Sequence, residues 1–536
     1  MNGLKELRAA KPNQIVPLYE EVQSDGNAIE YFMKLSDYGR KKNSIFLESA
    51  DVITKYGEKS IGSASPCINV IGKGDSFTIT ALNPLGKRLF PIILQKLKGS
   101  SSLEQKGNLI SGTIKKSKGF MSESQRLLAK TQADVLRAVA FCLEPAYKPF
   151  PVYAGLMGAI GYDFIDQFER LPKNRGDVLK EPDFEMNFYD SLFIFDHRKK
   201  TATFVANAFI LDEMDRASEE QRCKRIISEY KETFAKKIPL PKRSGGEPKM
   251  PKASTDTSRA EFVKIVQKMK KHILKGDVFQ VVPSRTIIVE HFAQPLDIYS
   301  ALRELNPSPY MFFFNNSNGV LLGSSPEMFI KVSGNTPKQV EIRPIAGTKP
   351  RGIGADGKID PDLDSRFEAE LKNDPKEMAE HTMLIDLARN DVARVSKPGS
   401  RHCDRPYMIE KYSHVQHLVS NVTGELRDEY DAMHAYLASM NMGTLTGAPK
   451  VEAMKLIRLA EKNRRGFYGG SIGYLTPSGE FDSAIVIRSM SIRGKKAYIR
   501  AGAGIVFDSD PNAEFDETEK KARAALRAIE LAEGFK

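Results

Sequence analysis

The chain has 536 residues but no tryptophan, and only four of its residues are cysteine. The cysteines stand far apart, at Cys67, Cys142, Cys223 and Cys403, and none belongs to a C-x-x-C pair. This spacing argues against a zinc knot and against a disulfide scaffold. We therefore expect isolated, buried thiols. The absence of tryptophan excludes no class of protein by itself.

Long apolar segments are also missing. No apolar run approaches the roughly 20 residues of a bilayer-spanning helix, and the residues after Met1 lack the apolar core of a secretory signal. Hydrophobic residues make up 41% of the chain and charged residues 28%, which excludes wholesale disorder. Because the chain is longer than one ordinary hydrophobic core, we expect two or more domains. The missing membrane span and secretory signal lead us to expect a cytosolic protein.

The net charge of +12 is concentrated in part in one segment. Between Lys236 and Lys252 six basic residues stand against Glu247, and four prolines and a Gly-Gly pair interrupt the segment. Such a composition favours a solvated linker over a helix or a central strand. A basic tract can also bind nucleic acid, but this one lacks aromatic residues for base stacking. We divide the chain into a front domain of residues 1–236, a linker of residues 237–257 and a back domain of residues 258–536.

Hydrophobic patterns predict an irregular mixture of strands and helices. Ser258 and Glu261 form a capping box before a helical apolar pattern. Strands are predicted at 77–81, 192–195, 202–205, 278–282, 311–314, 320–322, 328–332, 484–491 and 497–499, and helices at 375–388, 432–438, 450–460 and 514–532. Because no regular βαβ repeat is present, the fold class is α+β and not a doubly wound sheet.

Two glycine-rich segments resemble nucleotide-binding loops but lack the required context. Residues 352–357 match G-x-G-x-x-G, yet neither a strand nor an apolar helix flanks them. Residues 443–450 resemble a phosphate loop, but Pro449 disrupts the G-K-[ST] ending. Phosphoryl transfer is therefore not supported.

Two predicted helix starts each carry an E-x-x-E pair, Glu377 with Glu380 and Glu514 with Glu517. Residues three apart project from one helix face, and oxygen ligands without cysteine or clustered histidine favour Mg²⁺ over zinc. Structural roles remain open at this point. Glu377 can complete a helix cap, Glu380 can be solvated, and Glu517 can pair with Lys521 at i,i+4.

His417 and two glycine clusters complete the candidate residues. In an apolar, strand-like run, His417 is either a hydrogen-bonded core residue or a general acid or base. The glycines at 466–473 and 502–504 adjoin Tyr468, Arg488 and Arg500. Glycine permits close approach of a ligand, and arginine binds carboxylates through two hydrogen bonds. The pattern fits a small carboxylated substrate, although tight turns explain the glycines equally well.

Five sequence blocks occur in an order typical of one enzyme family. They are P-I-A-G-T at 344–348, D-L-A-R-N-D at 386–391, H-L-V-S at 417–420, M-G-T-L-T-G-A-P-K at 442–450 and R-A-G-A-G-I-V at 500–506. Together they resemble the chorismate-utilising enzymes, most closely the anthranilate-forming members, over nearly all of 258–531. Residues 46–51 and 158–163 of the front part look like the same subfamily.

The resemblance implies a Mg²⁺ ion that bridges the ring carboxylate of chorismate and carboxylates from two helices. Glu380 and Glu517 match its probable direct ligands, with Glu377 and Glu514 as supporting carboxylates. The implied reaction adds ammonia at C2, expels the C4 hydroxyl and then eliminates pyruvate. Glu327 matches the general acid that protonates the leaving hydroxide.

The resemblance also implies further roles around the substrate. His417 assists the elimination, and Thr444 lines the reacting ring together with Gly347 and Thr348. The enolpyruvyl carboxylate and its neighbours are held by Tyr468, Arg488, Gly502, Gly504 and Lys521.

Two positions separate amination from related reactions. Family members that add water use a lysine base where this chain has Gln280, which cannot take a proton. Aminodeoxychorismate synthase uses a nucleophilic lysine where this chain has Ala346. Both residues favour direct amination to anthranilate. Aminodeoxychorismate synthase component I is the nearest alternative, and a basic nucleic-acid-binding protein is the alternative from another class.

The source of ammonia is expected to be another protein. None of the four cysteines stands at a glycine-flanked nucleophile turn of the kind that a glutaminase needs. The resemblance therefore implies a separate glutamine amidotransferase subunit and a hetero-oligomer, often a heterotetramer of two such pairs.

An inhibitor site for tryptophan is implied by residues from both parts of the chain. Glu48 or nearby carbonyls are expected to meet the amino group of the inhibitor, and the proline-rich turn before Met311 shapes an apolar slot. Phe46 stands where the subfamily often has leucine, and we expect this to change the size of the site. The predicted set is Leu47, Glu48, Ser49, Lys59, Pro309, Tyr310, Met311, Ile472 and Tyr474.

Overall fold

A computed structural model of the chain describes residues 1–49, 59–115, 122–212, 214–236, 252–354, 357–412 and 415–534. These residues form α-helices and β-strands in nearly every part of the chain, which confirms the α+β class. No helix in these ranges is long and apolar enough to cross a membrane.

The helices are numbered in chain order. They are α1 Leu4–Ala9, α2 Ala28–Leu35, α3 Pro84–Arg88, α4 Phe90–Lys96, α5 Glu123–Leu128, α6 Ala133–Ala140, α7 Asp215–Ala235, α8 Arg259–Leu274, α9 Pro295–Leu305, α10 Pro361–Asn373, α11 Pro375–Ala393, α12 Ala432–Ser439, α13 Gly443–Thr446, α14 Lys450–Ala460 and α15 Pro511–Ala532, with a short 3-10 helix at Tyr162–Gln167.

The strands of the front part are β1 Gln14–Gln23, β2 Ile45–Glu48, β3 Lys59–Ser63, β4 Ile68–Lys73, β5 Ser76–Ala81, β6 Ser102–Lys106, β7 Leu109–Thr113, β8 Glu144–Pro145, β9 Gly155–Ile160, β10 Phe184–Tyr189, β11 Ser191–Asp196 and β12 Thr201–Ile210. The strands of the back part are β13 Ala253–Thr255, β14 Gln280–Val281, β15 Ser284–Glu290, β16 Tyr310–Asn316, β17 Gly319–Ser325, β18 Met328–Ser333, β19 Gln339–Ile342, β20 Ile345–Pro350, β21 His402–Lys411, β22 Val415–Glu425, β23 Gly447–Ala448, β24 Ser471–Leu475, β25 Phe481–Ile485, β26 Ser489–Arg493 and β27 Lys496–Gly502.

Two large sheets organise the described residues. The first has the strand order β13-β15-β27-β26-β17-β16-β2-β3-β11-β12-β1-β8. The second has the order β20-β22-β19-β18-β25-β24-β9-β10-β4-β5-β7-β6, with β21 added beside β22. A small third sheet pairs β14 with β23. Antiparallel pairs predominate, and central strands such as β9, β10 and β12 are buried at every position, so both of their faces are covered.

Strands from the front and back parts share both large sheets. In the first sheet, β2 pairs with β16, so that Glu48 lies opposite Met311. In the second, β9 pairs with β24, with Ile160 opposite Ser471. The two parts of the sequence therefore complete each other's sheets, and the boundary between them is a boundary in the sequence only.

The predicted linker is described only in part. Residues 237–251 lie outside the described ranges, and Ala253–Thr255 form strand β13, which pairs with β15. The three cysteines Cys67, Cys142 and Cys223 are buried free thiols, as predicted, and Cys403 is half-buried.

One predicted strand is wrong. Residues 484–491 were expected to form a single strand, but the chain ends β25 at Ile485 and begins β26 at Ser489. In the connection between the two strands, Val486 accepts a backbone hydrogen bond from Gly469 and donates one to Gly470, and Arg488 adopts a positive φ of 49°. Residues 486–488 carry the chain from the second sheet to the first. A run of apolar residues in the sequence does not reveal such a change of sheet.

Candidate active site

Two helices that begin at Asp-Pro pairs form one wall of the site. The Asp374 carboxylate accepts hydrogen bonds from the backbone N–H groups of Lys376 (3.0 Å) and Glu377 (3.2 Å) at the start of α11. Asp510 caps α15 in the same way through Asn512 and Ala513. The caps satisfy N–H groups that would otherwise lack a partner, and proline suits the first helical position. Both first turns are therefore fixed.

The E-x-x-E pairs on these helices face one another. Burial raises the pKa of Glu377, and the charges of Asp374 and Glu517 contribute. Burial likewise raises the pKa of Glu380, to which the charges of Glu377 and Glu514 add. The carboxylates of the two helices thus act on each other across a shared space. The glutamates at the starts of α11 and α15 therefore do not lie at two independent, solvated helix ends.

The acidic face fits a magnesium ion that is completed by a substrate. Among the described residues, no three His, Cys, Asp or Glu side chains are close enough to form a ready-made metal cluster. Mg²⁺ commonly takes only one or two protein carboxylates and keeps waters or substrate oxygens. Glu380 on α11 and Glu517 on α15 are suited to that mode, and a bound cation would offset the burial and the neighbouring negative charges that together raise the pKa of Glu380.

Lys521 lies beside this acidic face. Its Nζ donates to the carbonyl oxygen of Gly502 at 3.1 Å and lies 3.7 Å from Glu517 Oε1. Burial lowers the pKa of Lys521, and the positive charge of Arg488 lowers it further. The predicted i,i+4 pair of Glu517 and Lys521 is thus present, and it lies inside the site.

Glu327 is a buried carboxylic acid. It precedes β18, and its backbone N–H donates to Ser325 Oγ at 3.3 Å. Burial raises the pKa of Glu327 to about 8, although Thr444 and Lys521 act in the opposite direction. Its Oε1 and the hydroxyl of Thr444 are buried, and apart from each other neither has a hydrogen-bond partner within the described ranges. At neutral pH the carboxyl is therefore protonated and available to a ligand.

His417 lies on β22 with its ring oriented by the neighbouring strand. Its Nδ1 is 2.7 Å from the carbonyl oxygen of Gly347 and 3.1 Å from Thr348 Oγ1. A carbonyl can only accept, so the bond to Gly347 places the proton on Nδ1 and leaves Nε2 with a free lone pair. Burial lowers the pKa of His417, which favours this neutral form. The ring of Tyr412 packs edge-on at 5.4 Å.

Arg488 and Tyr468 form a second wall. The Arg488 guanidinium has no hydrogen-bond partner among the described side chains and carbonyls. Burial lowers its pKa, whereas Glu517 and Tyr468 act in the opposite direction. A Cβ added to Gly502 would lie 3.3 Å from the Tyr468 hydroxyl and 2.9 Å from the carbonyl oxygen of Pro283. The wall therefore combines an unsatisfied cation with a backbone that tolerates no side chain.

Two more glycines bring distant segments together. Gly347 has φ +64°, and a Cβ there would lie 3.0 Å from Glu377 Oε2. A Cβ on Gly504 would lie 2.9 Å from Gln280 Nε2. Gln280 is buried, and its Oε1 lacks a partner in the described part of the chain. Gln280, Glu327 and Thr444 thus all present buried polar atoms with unused hydrogen-bonding capacity in the described part of the chain, the feature that marks a ligand site in a buried interior.

Comparison with known proteins agrees with this geometry. Residues 95–527 match the sequence model of a family described as chorismate binding enzyme. The chain belongs to the chorismate-binding enzyme family.

Relatives in this family are similar over almost their whole length. The chain is 41% identical over 490 residues to anthranilate synthase component 1 of Vibrio cholerae, which covers 91% of this chain and 92% of that protein. It is 41% identical over 496 residues to anthranilate synthase component 1 of Escherichia coli K12, with coverages of 92% and 93%.

Solved structures of the family share the fold. Anthranilate synthase component I from Streptococcus pneumoniae aligns with a TM-score of 0.67 at 28% identity, over 88% of this chain and 92% of that one. The menaquinone-specific isochorismate synthase MenF of Escherichia coli aligns with a TM-score of 0.61 at 16% identity, over 98% of each chain. At that identity the second likeness shows the fold alone.

Arg500 does not face the substrate space expected for this family. Its guanidinium donates to Glu461 Oε2 at 2.6 Å and to Ser284 Oγ at 2.8 Å. Glu461 also binds Arg465. This buried group was not predicted from the sequence. The i,i+4 spacing of Glu461 and Arg465 directly before the glycine cluster was the available signal.

A separate cavity of about 710 Å³ collects every residue of the predicted inhibitor site. It opens between strands of both large sheets, away from the four glutamates. Its walls include Leu47, Glu48, Ser49, Lys59, Pro309, Tyr310, Met311, Ile472 and Tyr474. Sequence reasoning did not find the additional apolar walls Ile61, Phe150 and Phe481, which only the pairing of distant strands brings together.

Two expectations about this cavity change with the structure. The Glu48 carboxylate is held by Arg303 through contacts of 2.7 and 2.9 Å, so its charge is already neutralised. Phe46 stacks on Phe32 with ring centroids 5.1 Å apart. Because successive side chains alternate along a strand, Phe46 points away from the face of Leu47 and does not set the size of the cavity.

Proposed function

We propose that this chain is the aminating component of an anthranilate synthase. It adds ammonia at C2 of chorismate and eliminates pyruvate, which opens tryptophan biosynthesis. Two observations carry the proposal: Glu327 is a buried acid whose pKa burial raises to about 8, and Gln280 is a buried, non-basic amide whose Oε1 has no partner in the described part of the chain. The two relatives with 41% identity are both named anthranilate synthase component 1, which supports the proposal.

Chorismate is a dianion, and the site offers cations for its carboxylates. Arg488 presents an unsatisfied guanidinium to the enolpyruvyl carboxylate, and Lys521 lies beside it. Tyr468 and the backbone at Gly502 and Gly504 close around this group. Gly347, Thr348 and Thr444 line the ring. Fixed charges in a space without bulk water bind an anion more strongly than they would in water.

Glu380 and Glu517 would hold Mg²⁺ as direct ligands, with Glu377 and Glu514 in support. When bound, the ion would neutralise the ring carboxylate and stabilise charge on it as the double bonds shift.

Amination requires an acid and no competing nucleophile. As ammonia adds at C2, the Glu327 carboxyl donates its proton to the departing C4 hydroxyl, which leaves as water. Gln280 cannot take a proton from water, so addition of water is disfavoured. Ala346 offers no side chain that could attack C2, which argues against aminodeoxychorismate synthase, the second candidate. Ammonia itself is therefore the nucleophile.

Elimination requires a base. His417 accepts the C2 proton on Nε2 while the enolpyruvyl C–O bond breaks, and the ring becomes aromatic. The hydrogen bond from Nδ1 to Gly347 holds the ring in place and stabilises the imidazolium that forms.

Ammonia in this account comes from a separate glutamine amidotransferase subunit, as the absence of a glutaminase cysteine motif requires. Cys67, Cys142 and Cys223 are buried, and burial raises the pKa of each of these thiols. They are therefore unsuited to act as the nucleophile of glutamine hydrolysis. The two subunits form a hetero-oligomer.

The 710 Å³ cavity is the site of feedback inhibition by tryptophan. Its walls join residues 1–236, to which we assign the regulatory role, with residues 258–536, which carry the catalytic groups. Pro326 and Met328 line the cavity, and Glu327 stands between them. A ligand that favours one position of this segment would change the placement of the general acid, which couples the two sites.

The test of the function is product identification. Purified chain mixed with chorismate, Mg²⁺ and ammonium should yield anthranilate and pyruvate. Formation of 4-amino-4-deoxychorismate, or no reaction, would contradict the proposal.

A further inference from the structure

A buried carboxylate beneath the active site binds two arginines at once. Glu461 follows α14, and only 6% of it is exposed. It accepts hydrogen bonds from Arg465 at 2.6 and 3.1 Å and from Arg500 at 2.6 Å. Burial opposes the charge of Glu461, but the two guanidinium groups hold its pKa below the ordinary value. The three side chains together carry one net positive charge in the interior.

This group is bonded to the backbone on two sides of the site. The N–H and the hydroxyl of Ser284 each donate to Glu461 Oε1 at 2.8 Å. Arg465 donates to the carbonyl oxygens of Leu445 at 2.7 Å and Val282 at 2.6 Å. Leu445 directly follows Thr444, and Val282 lies two residues after Gln280. Two segments that carry unsatisfied polar groups are therefore tied to one carboxylate.

The same group supports the aromatic wall. The guanidinium carbons of Arg465 and Arg500 each lie 5.9 Å from the centroid of the Tyr468 ring. Arg465 also stacks over Tyr162 at 4.5 Å. Arg500 stands on β27 two residues before Gly502. Both cations thus lie beside the ring of Tyr468.

We propose that Glu461 is a positioning residue for the amination of chorismate, acting through Arg465 and Arg500 on the segments of Gln280, Thr444 and Tyr468. The proposal rests on the proposed function for its catalytic consequence. Glu461 itself does not touch the substrate. The Glu461 carboxylate fixes the orientation of two planar guanidinium groups, each of which donates several hydrogen bonds. A small displacement of groups near a reacting centre lowers the reaction rate.

Glu461→Gln tests the proposal because it keeps the size of the side chain and removes its charge. Two unbalanced guanidinium groups then repel each other, and the segments bound to Arg465 shift. We expect kcat/KM for chorismate to fall by about 10- to 100-fold, with kcat reduced as well as KM raised. Arg465→Lys keeps the charge but cannot reach two carbonyls at once, and we expect a loss in the same direction.

Glu219→Gln is the matched control. Glu219 is 3% exposed, binds Arg222 and accepts the N–H of Phe209 at 2.9 Å, in the front part of the chain. Both substitutions remove a buried, arginine-bound carboxylate and should lower the unfolding temperature. Only Glu461→Gln should change the kinetic constants. Equal loss of activity in both variants, or unchanged constants in Glu461→Gln, would overturn the proposal.

Hydrogen exchange provides a readout that does not depend on activity. In Glu461→Gln, or in Arg465→Lys if the first variant does not fold, amides of 281–285 and 444–446 should exchange faster than in the wild type and in Glu219→Gln. Unchanged protection of both segments would also refute the positioning role. If the wild type does not convert chorismate but these segments respond as expected, the proposed function fails and the structural coupling stands.

Discussion

The Nδ1 atom of His417 donates a hydrogen bond to the carbonyl oxygen of Gly347 at 2.7 Å. This one contact determines the tautomer of the imidazole and so assigns its free lone pair to Nε2. Gly347 is held in turn with φ +64° against Glu377. Gly347 therefore connects His417, the base of the elimination step, with Glu377 of the acidic face.

His417→Gln should separate the two chemical steps. Glu327 still supports amination, but no group accepts the C2 proton, so anthranilate formation should fall by about 10²- to 10⁴-fold. The aminated, non-aromatic intermediate should accumulate and be detectable by liquid chromatography with mass spectrometry. His402→Asn, a change at an exposed histidine, is the control and should behave as the wild type. Equal loss of intermediate and product in His417→Gln would remove this residue from the second step.

The pH dependence of kcat/KM should show a protonated group with a pKa of about 8. Burial raises the pKa of Glu327 to that value in the free protein. Since the acid form is required, kcat/KM calculated per concentration of free NH₃ should fall as pH rises above about 8.

The same shift also affects stability. The folded state retains this proton at pH values where the unfolded chain has lost it, so the contribution of Glu327 to stability declines as pH rises from about 4.5 to about 8. Glu327→Gln should strongly lower kcat/KM, because glutamine cannot donate the proton, remove the alkaline limb from the residual rate, and flatten stability over this range. A limb that persists unchanged in Glu327→Gln would assign it to another group.

Glu517→Gln should abolish Mg²⁺-dependent activity while the fold is retained. Removing one carboxylate from a site with only two direct protein ligands leaves too few ligands to hold the ion with the substrate. Titration calorimetry of Mg²⁺ in the presence of chorismate should show binding in the wild type and none in the variant. Asp516→Asn, on the same helix, removes a carboxylate that pairs with Arg259 and should bind Mg²⁺ normally. Full activity of Glu517→Gln would refute its assignment as a ligand.

Ser49→Phe should relieve inhibition by tryptophan without reducing kcat. The larger side chain fills part of the cavity, whereas Ser49→Ala leaves its volume nearly unchanged and should keep inhibition close to that of the wild type. Binding can be followed by indole fluorescence, because the chain itself has no tryptophan. If both variants are inhibited to the same degree as the wild type, the inhibitor binds elsewhere.

Secondary structure was the feature of this protein that could best be predicted from its sequence. The helix at 450–460 was predicted with the observed bounds, and the helices predicted at 375–388 and 514–532 are present as parts of α11 and α15. These features depend on residues within one or two turns of each other. Sequence periodicity reports such short-range preferences directly.

Long-range arrangement was not predictable in the same way. No pattern in the sequence shows that β2 adds to β16, or that Glu48 binds Arg303 and is thereby neutralised. The family resemblance supplied the candidate residues for both sites, but not their hydrogen-bond partners. The i,i+4 spacing of Glu461 and Arg465 was visible in the sequence, but their bonds to Arg500 and to the carbonyl oxygens of Val282 and Leu445 join distant segments and could not be predicted from it.

The most direct test of the central claim is the identity of the product formed by the isolated chain. With chorismate, Mg²⁺ and ammonium at mildly alkaline pH, we expect anthranilate, seen by its fluorescence without background from protein tryptophan, together with one equivalent of pyruvate. With glutamine in place of ammonium, we expect no product until an amidotransferase subunit is added. Release of 4-amino-4-deoxychorismate or isochorismate instead of anthranilate would contradict the central claim.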